Sequence, residues 1–120
     1  MKILVTDDSR VMRQIVIRTL RQAGYDDHEI IQAEDGRVAL QMVGSEKPDL
    51  VLSDWNMPEM SGIECLEALR ASGSQVPFGF VTSEGSPEMR AKAANAGAMF
   101  LIAKPFNEDT FKEALDGVIA

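Results

Sequence analysis

The sequence predicts an α/β domain: a doubly wound, five-stranded parallel sheet with five helices. Two observations carry this. Short apolar runs without polar alternation recur along the chain, the pattern of strands buried on both faces. Each run is followed by a longer segment whose apolar residues recur at three- and four-residue spacings, the pattern of an amphipathic helix. Strand then helix, repeated five times, means parallel strands joined by right-handed crossovers.

Ile3-Leu4-Val5 is the first strand, ending at Thr6-Asp7-Asp8. Met12, Ile15, Val16, Thr19, Leu20 and Ala23 then mark the inner face of a helix that Gly24 stops. Ile30-Ile31 is a brief second strand, and Val38 to Val43 a short helix closed by Gly44. Leu50-Val51-Leu52 is the third strand and runs into Ser53-Asp54. Ser61 and Glu64 form a capping box that opens a helix through Cys65, Leu66 and Leu69, stopping near Gly73. Phe78 to Val81 is the fourth strand, weakened by Gly79 and ending at Thr82. Ser86-Pro87 is an N-cap with proline at the first helical position, and that helix runs to Gly97. Phe100-Leu101-Ile102 is the fifth strand and leads to Lys104-Pro105. Asn107 caps a last helix with Phe111, Leu115 and Val118 on its inner face.

At 120 residues, with 45% hydrophobic and 26% charged positions, the chain is expected to form one globular domain over residues 1–120. A domain of that size removes roughly two-thirds of its unfolded surface from water, enough to fold without disulfides or a structural metal. There is no internal repeat, linker or low-complexity tract. Twelve Lys and Arg against 19 Asp and Glu leave a formal charge of −7, which argues against a nucleic-acid partner because phosphate binding needs cations. Cys65 is the single cysteine, so no internal disulfide and no zinc cluster is expected. The opening MKILVTDDSR breaks its apolar run at two aspartates, unlike a signal peptide, and no stretch approaches a membrane span. A cytosolic monomer is the expectation.

In a parallel sheet of this kind, ligands bind outside the carboxyl ends of the strands. The residues there are Asp7 and Asp8, Asp54, Thr82 and Lys104, from four strands distant in sequence. Three crowded carboxylates repel one another, and a hard divalent cation relieves the repulsion. Mg²⁺ suits this set because it accepts one or two carboxylates, keeps waters and leaves room for a phosphoryl oxygen. Thr82 and Lys104 would hold the other phosphoryl oxygens by charge-assisted hydrogen bonds, and phosphoryl transfer needs chiefly positioning and charge neutralisation. With no cysteine or histidine at that rim, the nucleophile is a carboxylate; Asp54, alone at its strand end, is assigned that role, and the adjacent Asp7 and Asp8 the metal.

The chain resembles response-regulator receiver domains, and among them the single-domain chemotaxis regulators of the CheY type. The resemblance rests on ILVTDDS, EDG at Glu34 to Gly36, SDWNMPEMSG from Ser53 to Gly62, VTSE from Val81 to Glu84 and AKPF from Ala103 to Phe106, spread in order over the whole chain. It implies the flavodoxin-like strand order 2-1-3-4-5. It implies that Asp54 accepts a phosphoryl group from the phosphohistidine of a sensor histidine kinase. Asp8, Asp54 and the backbone carbonyl of Asn56 would bind Mg²⁺, with Asp7 acting through bound water and Thr82 and Lys104 on the phosphoryl oxygens. Lys104–Pro105 would be a cis peptide. The output face would comprise Pro87 to Gly97, Phe100 to Ala103 and Asn107 to Ile119, meeting a downstream target protein for which a flagellar motor switch is one candidate. Such a domain is no enzyme beyond its own phosphorylation and dephosphorylation. The family's switch aromatic falls on Leu101 here, while strand alternation turns the neighbouring Phe100 to the other face.

Three alternatives stand beside this reading. One is a receiver excised from a longer regulator. Another is a metal-dependent aspartyl-phosphate phosphatase, which commonly has a second aspartate two residues after the nucleophile, where this chain has Asn56. A flavin or nucleotide module lacks its phosphate-cradling glycine loop here. Among the remaining conspicuous residues, Trp55 is either rim-exposed or packed, and Met57 and Met60 are loop packing. Gly62 serves backbone geometry, His28 is a solvated loop histidine, and Cys65 is a small core residue.

Overall fold

The computed structural model describes residues 1–116 and Val118, and in it strands and helices alternate in the expected order. The elements are β1 (Lys2–Thr6), α1 (Arg10–Leu20), β2 (Glu29–Ala33), α2 (Gly36–Glu46), β3 (Leu50–Ser53), α3 (Gly62–Ala71), β4 (Phe78–Thr82), α4 (Pro87–Ala96), β5 (Phe100–Ala103) and α5 (Glu108–Leu115). The five strands are parallel in the order 2-1-3-4-5. Among the described residues, no helix is long and apolar enough to cross a membrane.

Alternation along the central strands sends side chains to two cores, one on each face. Ile3, Val5, Leu50, Leu52 and Val81 pack with α1 and α5, through Val16, Leu20, Phe111 and Leu115. Leu4, Val51, Phe78 and Phe80 pack with the other helices, through Ala39, Ile63, Leu66 and Ala93. Because every strand points the same way, all their C-terminal ends meet at one rim.

The starts of α3, α4 and α5 are those read from the sequence, while α1 and α2 begin earlier, at Arg10 and Gly36, capped by Ser9 and Asp35. Ser61 accepts from the Glu64 N–H while the Glu64 carboxylate accepts from the Ser61 N–H. Ser86 caps α4 ahead of Pro87, and Asn107 caps α5. Phe100 and Leu101 pack on opposite faces of the sheet, as alternation requires. Lys104–Pro105 is cis.

Several expectations are corrected. Ile15 is 39% exposed and Ile17 5%, so the buried stripe of α1 centres on Val16 and Leu20 and turns toward Phe111 and Leu115. Gly44 does not close α2; the helix runs on to Glu46 and ends where Lys47 turns left-handed at φ 50°. Gly79 has a packing role in β4 that its weak strand propensity does not suggest. A Cβ there would sit 2.1 Å from the Phe100 ring, so the bare backbone makes room for that aromatic. His28 is not solvated: its side chain is 13% exposed, beside the Tyr25 ring, because the chain folds back after Gly24. Its Nδ1 is buried without a hydrogen-bond partner among the described residues. Helix α5 stops at Leu115, where Asp116 takes an extended conformation; Val118 still packs on the core, and Ile119 lies outside the described residues.

Candidate functional site

The rim gathers residues from four strand ends. Thr6 closes β1, and its carbonyl accepts the Asp54 N–H at 2.9 Å, which ties the chain after β3 to the chain before Asp7. Asp7 donates its own N–H to Ala33 of β2 at 3.2 Å, and Lys104 donates its N–H to Thr82 at 2.8 Å. Sheet hydrogen bonding thus extends past the strands and sets the spacing of the functional side chains.

The carboxylates of Asp7, Asp8 and Asp54 each bring an oxygen within 4.8 Å of the others. Asp7 is buried, Asp54 half-buried and Asp8 exposed. One oxygen of each deeper group is fixed by backbone: Asp7 Oδ1 accepts from Ser9 N–H at 2.9 Å, and Asp54 Oδ1 from Trp55 N–H at 2.7 Å. The other oxygens face the Lys104 ammonium, 3.6 Å from Asp7 Oδ2 and 3.8 Å from Asp54 Oδ2. Thr82 is fully buried at the end of β4, and its hydroxyl helps lower the Asp54 pKa. Its hydroxyl oxygen also accepts from Glu84 N–H at 3.3 Å.

Burial pushes the Asp7 carboxyl above the usual carboxylate range, and the charges of Asp54 and Asp8 add to this; the Ser9 N–H and Lys104 oppose it. Asp54 is likewise raised, first by burial and then by Asp8, against Lys104, the Trp55 N–H and Thr82. Three acids facing one ammonium leave the cluster short of positive charge. All three offer hard oxygen donors, with no thiolate or imidazole among them, so the set suits a hard divalent cation.

Asn56 follows Asp54 by two residues in the exposed loop after β3, where its side-chain amide donates to the Glu84 carboxylate at 3.3 Å. Trp55 is packed: it is 7% exposed, with its ring 4.7 Å from that of Phe80. Gly62 carries a close approach, since a Cβ there would lie 2.1 Å from the Asp54 carbonyl oxygen. Cys65 is buried, and burial raises its thiol to about 12.

Sequence reasoning missed Arg13, whose guanidinium donates to the backbone carbonyl of Asp7 and to Gln32 Oε1. The available signal was a cation one helical turn beyond the paired aspartates. Missed as well were the Ser9 and Trp55 N–H groups, which no residue-type pattern reveals.

A family model described as the response regulator receiver domain matches residues 3–116. The chain is 41% identical to chemotaxis protein CheY-3 of Vibrio cholerae, over 98% of this chain and 91% of that protein. It is 38% identical to chemotaxis protein CheY of Pseudomonas aeruginosa, covering 98% and 95%. Among solved structures, the chemotaxis response regulator CheY4 of Vibrio cholerae superposes with a TM-score of 0.84 at 38% identity, covering 98% of both chains. The receiver domain of a putative response regulator, NarL, from Mycobacterium tuberculosis gives 0.86 at 26% identity, covering 98% and 94%. The chain belongs to the response-regulator receiver family, and within it is similar to the chemotaxis regulators.

Proposed function

We propose that this receiver, a single domain over residues 1–120, takes a phosphoryl group onto Asp54 from the phosphohistidine of a sensor histidine kinase. The observation that carries the reading is the convergence of Asp54, Lys104, Thr82 and the Asp7–Asp8 pair on one rim. Asp54 Oδ1 is occupied by the Trp55 N–H, which leaves Oδ2 as the attacking oxygen. Oδ2 forms a bond to phosphorus as the phosphorus–nitrogen bond of the donor breaks, and that electron pair leaves with the imidazole. Lys104 and the Thr82 hydroxyl bind phosphoryl oxygens as charge builds on them.

Asp7, Asp8 and Asp54, with the Asn56 carbonyl, would hold Mg²⁺, which when bound neutralises carboxylate and phosphoryl charge. Asp7, fixed by Ser9 and facing Lys104, would act mainly through bound water. The domain turns over no external substrate. Asn56, whose amide is committed to Glu84, supplies no second acid of the kind an aspartyl-phosphate phosphatase uses.

Output would be phosphorylation-dependent binding of a downstream protein in chemotaxis, a flagellar motor switch being the leading candidate. The face for it spans α4, β5 and α5, where a groove of about 530 Å³ is lined by Arg90, Phe100, Leu101, Thr110, Glu113 and Ala114, among others. Leu101 stands where the family's switch aromatic falls, and would repack when Thr82 shifts toward the phosphoryl group. The protein would act as a cytoplasmic monomer.

The test is intact-mass analysis after incubation with Mg²⁺ and acetyl phosphate, with Asp54→Asn in parallel. One phosphoryl group on the wild type, absent from the variant and absent with a chelator, is expected. Labelling that persists in Asp54→Asn would refute the assignment.

A further inference from the structure

Asp7 and Asp54 are each pinned by a backbone N–H, but the exposed Asp8 carboxylate has no hydrogen bond from the described residues. Its position is therefore set by the peptide that joins it to Asp7. The carbonyl of that peptide is held by the Arg13 guanidinium, whose Nε donates to Gln32 Oε1 at 3.0 Å. On the other side of Asp7, its N–H is held by the Ala33 carbonyl at 3.2 Å. Gln32 and Ala33 are adjacent on β2, and Arg13 lies in the first turns of α1. The peptide between the two aspartates is thus clamped between a strand and a helix, with the planar fork of an arginine as the bridging part.

We propose that Arg13 is a positioning residue for cation binding, acting through the Asp7–Asp8 peptide, with Gln32 orienting its guanidinium. The inference rests on the reading that the acidic cluster holds Mg²⁺. The charge and the geometry of Arg13 pull in opposite directions. As a nearby cation it repels a divalent ion, so charge removal alone would tighten Mg²⁺ binding. As a clamp it keeps Asp8 aimed into the site, so its removal weakens binding. Groups that orient metal ligands typically carry about 10- to 100-fold in metal affinity.

The measurement is isothermal titration calorimetry of Mg²⁺ into wild type, Arg13→Gln, Arg13→Lys and Gln32→Leu, with thermal melts in chelator to confirm folding. Arg13→Gln should weaken Mg²⁺ affinity about tenfold. Arg13→Lys, which keeps the charge and loses the fork, should also weaken it, and Gln32→Leu should do so by a smaller factor at unchanged local charge. Unchanged or tighter Mg²⁺ binding in Arg13→Gln overturns the proposal while leaving the metal site standing. Should Arg13→Gln fail to fold, Gln32→Leu decides: unaltered affinity there overturns it. No Mg²⁺ binding by the wild type would overturn the metal reading itself, and the proposal with it.

Discussion

Gly62 offers the sharpest steric test of how Asp54, the proposed nucleophile, is held. A Cβ on Gly62 would stand 2.1 Å from the Asp54 carbonyl oxygen, 2.9 Å from a Phe80 ring carbon and 3.1 Å from Ser53 Oγ, where 3.4–4 Å is ordinary contact. The first of these is backbone and cannot rotate away. Relief needs a separation of about 1 Å between the start of α3 and the chain at Asp54. Swinging the helix start strains the Gly62 N–H bond to Trp55 at 2.8 Å and the Ser61–Glu64 capping box. Overpacking of this kind costs about 1–3 kcal/mol, and the helix-propensity gain of alanine, at most about 1 kcal/mol, does not cancel it. Because the displaced atoms belong to the proposed nucleophile's own residue, a shift on this scale should slow phosphoryl transfer by about 10²-fold. The assays are thermal melts in chelator and the time course of acetyl phosphate labelling by intact mass. Gly44→Ala is the control. It lies inside α2 with nothing within 4 Å of its Cβ, and should gain about 0.5–1 kcal/mol with labelling unchanged. A Gly62→Ala protein that melts and labels like wild type would refute the reasoning.

In chelator at neutral pH, Asp7→Asn should be more stable than wild type. Burial in the folded state raises the Asp7 pKa above the ordinary carboxylate value of 3.8, so ionised Asp7 opposes folding above that range, and the advantage of the variant should fade as pH falls through the folded pKa toward 3.8. Melts of both proteins across this pH range check it, and a variant less stable at pH 7 would contradict the burial argument. Wild type should recover stability with Mg²⁺, by about 2.7 kcal/mol at a hundredfold excess over its dissociation constant, and Asp7→Asn should recover less. Cys65, buried and raised to about 12, should resist a thiol reagent at pH 8 in the native protein and react fully in guanidinium; rapid native labelling would show that α3 opens.

The architecture was legible because it depends on short-range patterns. Apolar runs such as Leu50-Val51-Leu52 and caps such as Ser61 with Glu64 are local, and a parallel sheet then delivers every strand end to one rim. Asp7, Asp54, Thr82 and Lys104 were legible as neighbours for that reason alone. Features that depend on reach between elements were not. Arg13 and Gln32 lie 19 residues apart, and nothing in either segment says that the guanidinium crosses to β2. Ile15 and Ile17 fit the helical spacing about equally until α5 is in place. His28 reads as a polar loop residue, and its burial follows from the fold-back after Gly24. Trp55 was equally compatible with both fates until Phe80 came beneath it.

The distribution of fixed and free oxygens separates a functional cluster from a structural one. A structural acidic cap spends its carboxylates on backbone N–H groups, as Asp35 does for Val38 at the start of α2, and removing such a cap costs stability. In the rim cluster, Asp7 and Asp54 likewise give one oxygen to a backbone N–H, but they turn the other toward Lys104 and toward each other's charge. Asp8 is left exposed and uncommitted. One ammonium cannot balance three acids, two of them pushed toward protonation by burial. Such a site is destabilising by itself, and on the proposed function it would be completed from outside, by a cation and by the phosphoryl group. Neutralising Asp7 or Asp54 should therefore raise stability in chelator, and neutralising Asp35 should lower it. The opposite signs would arise from the same substitution, Asp to Asn, only because the two kinds of carboxylate do different jobs.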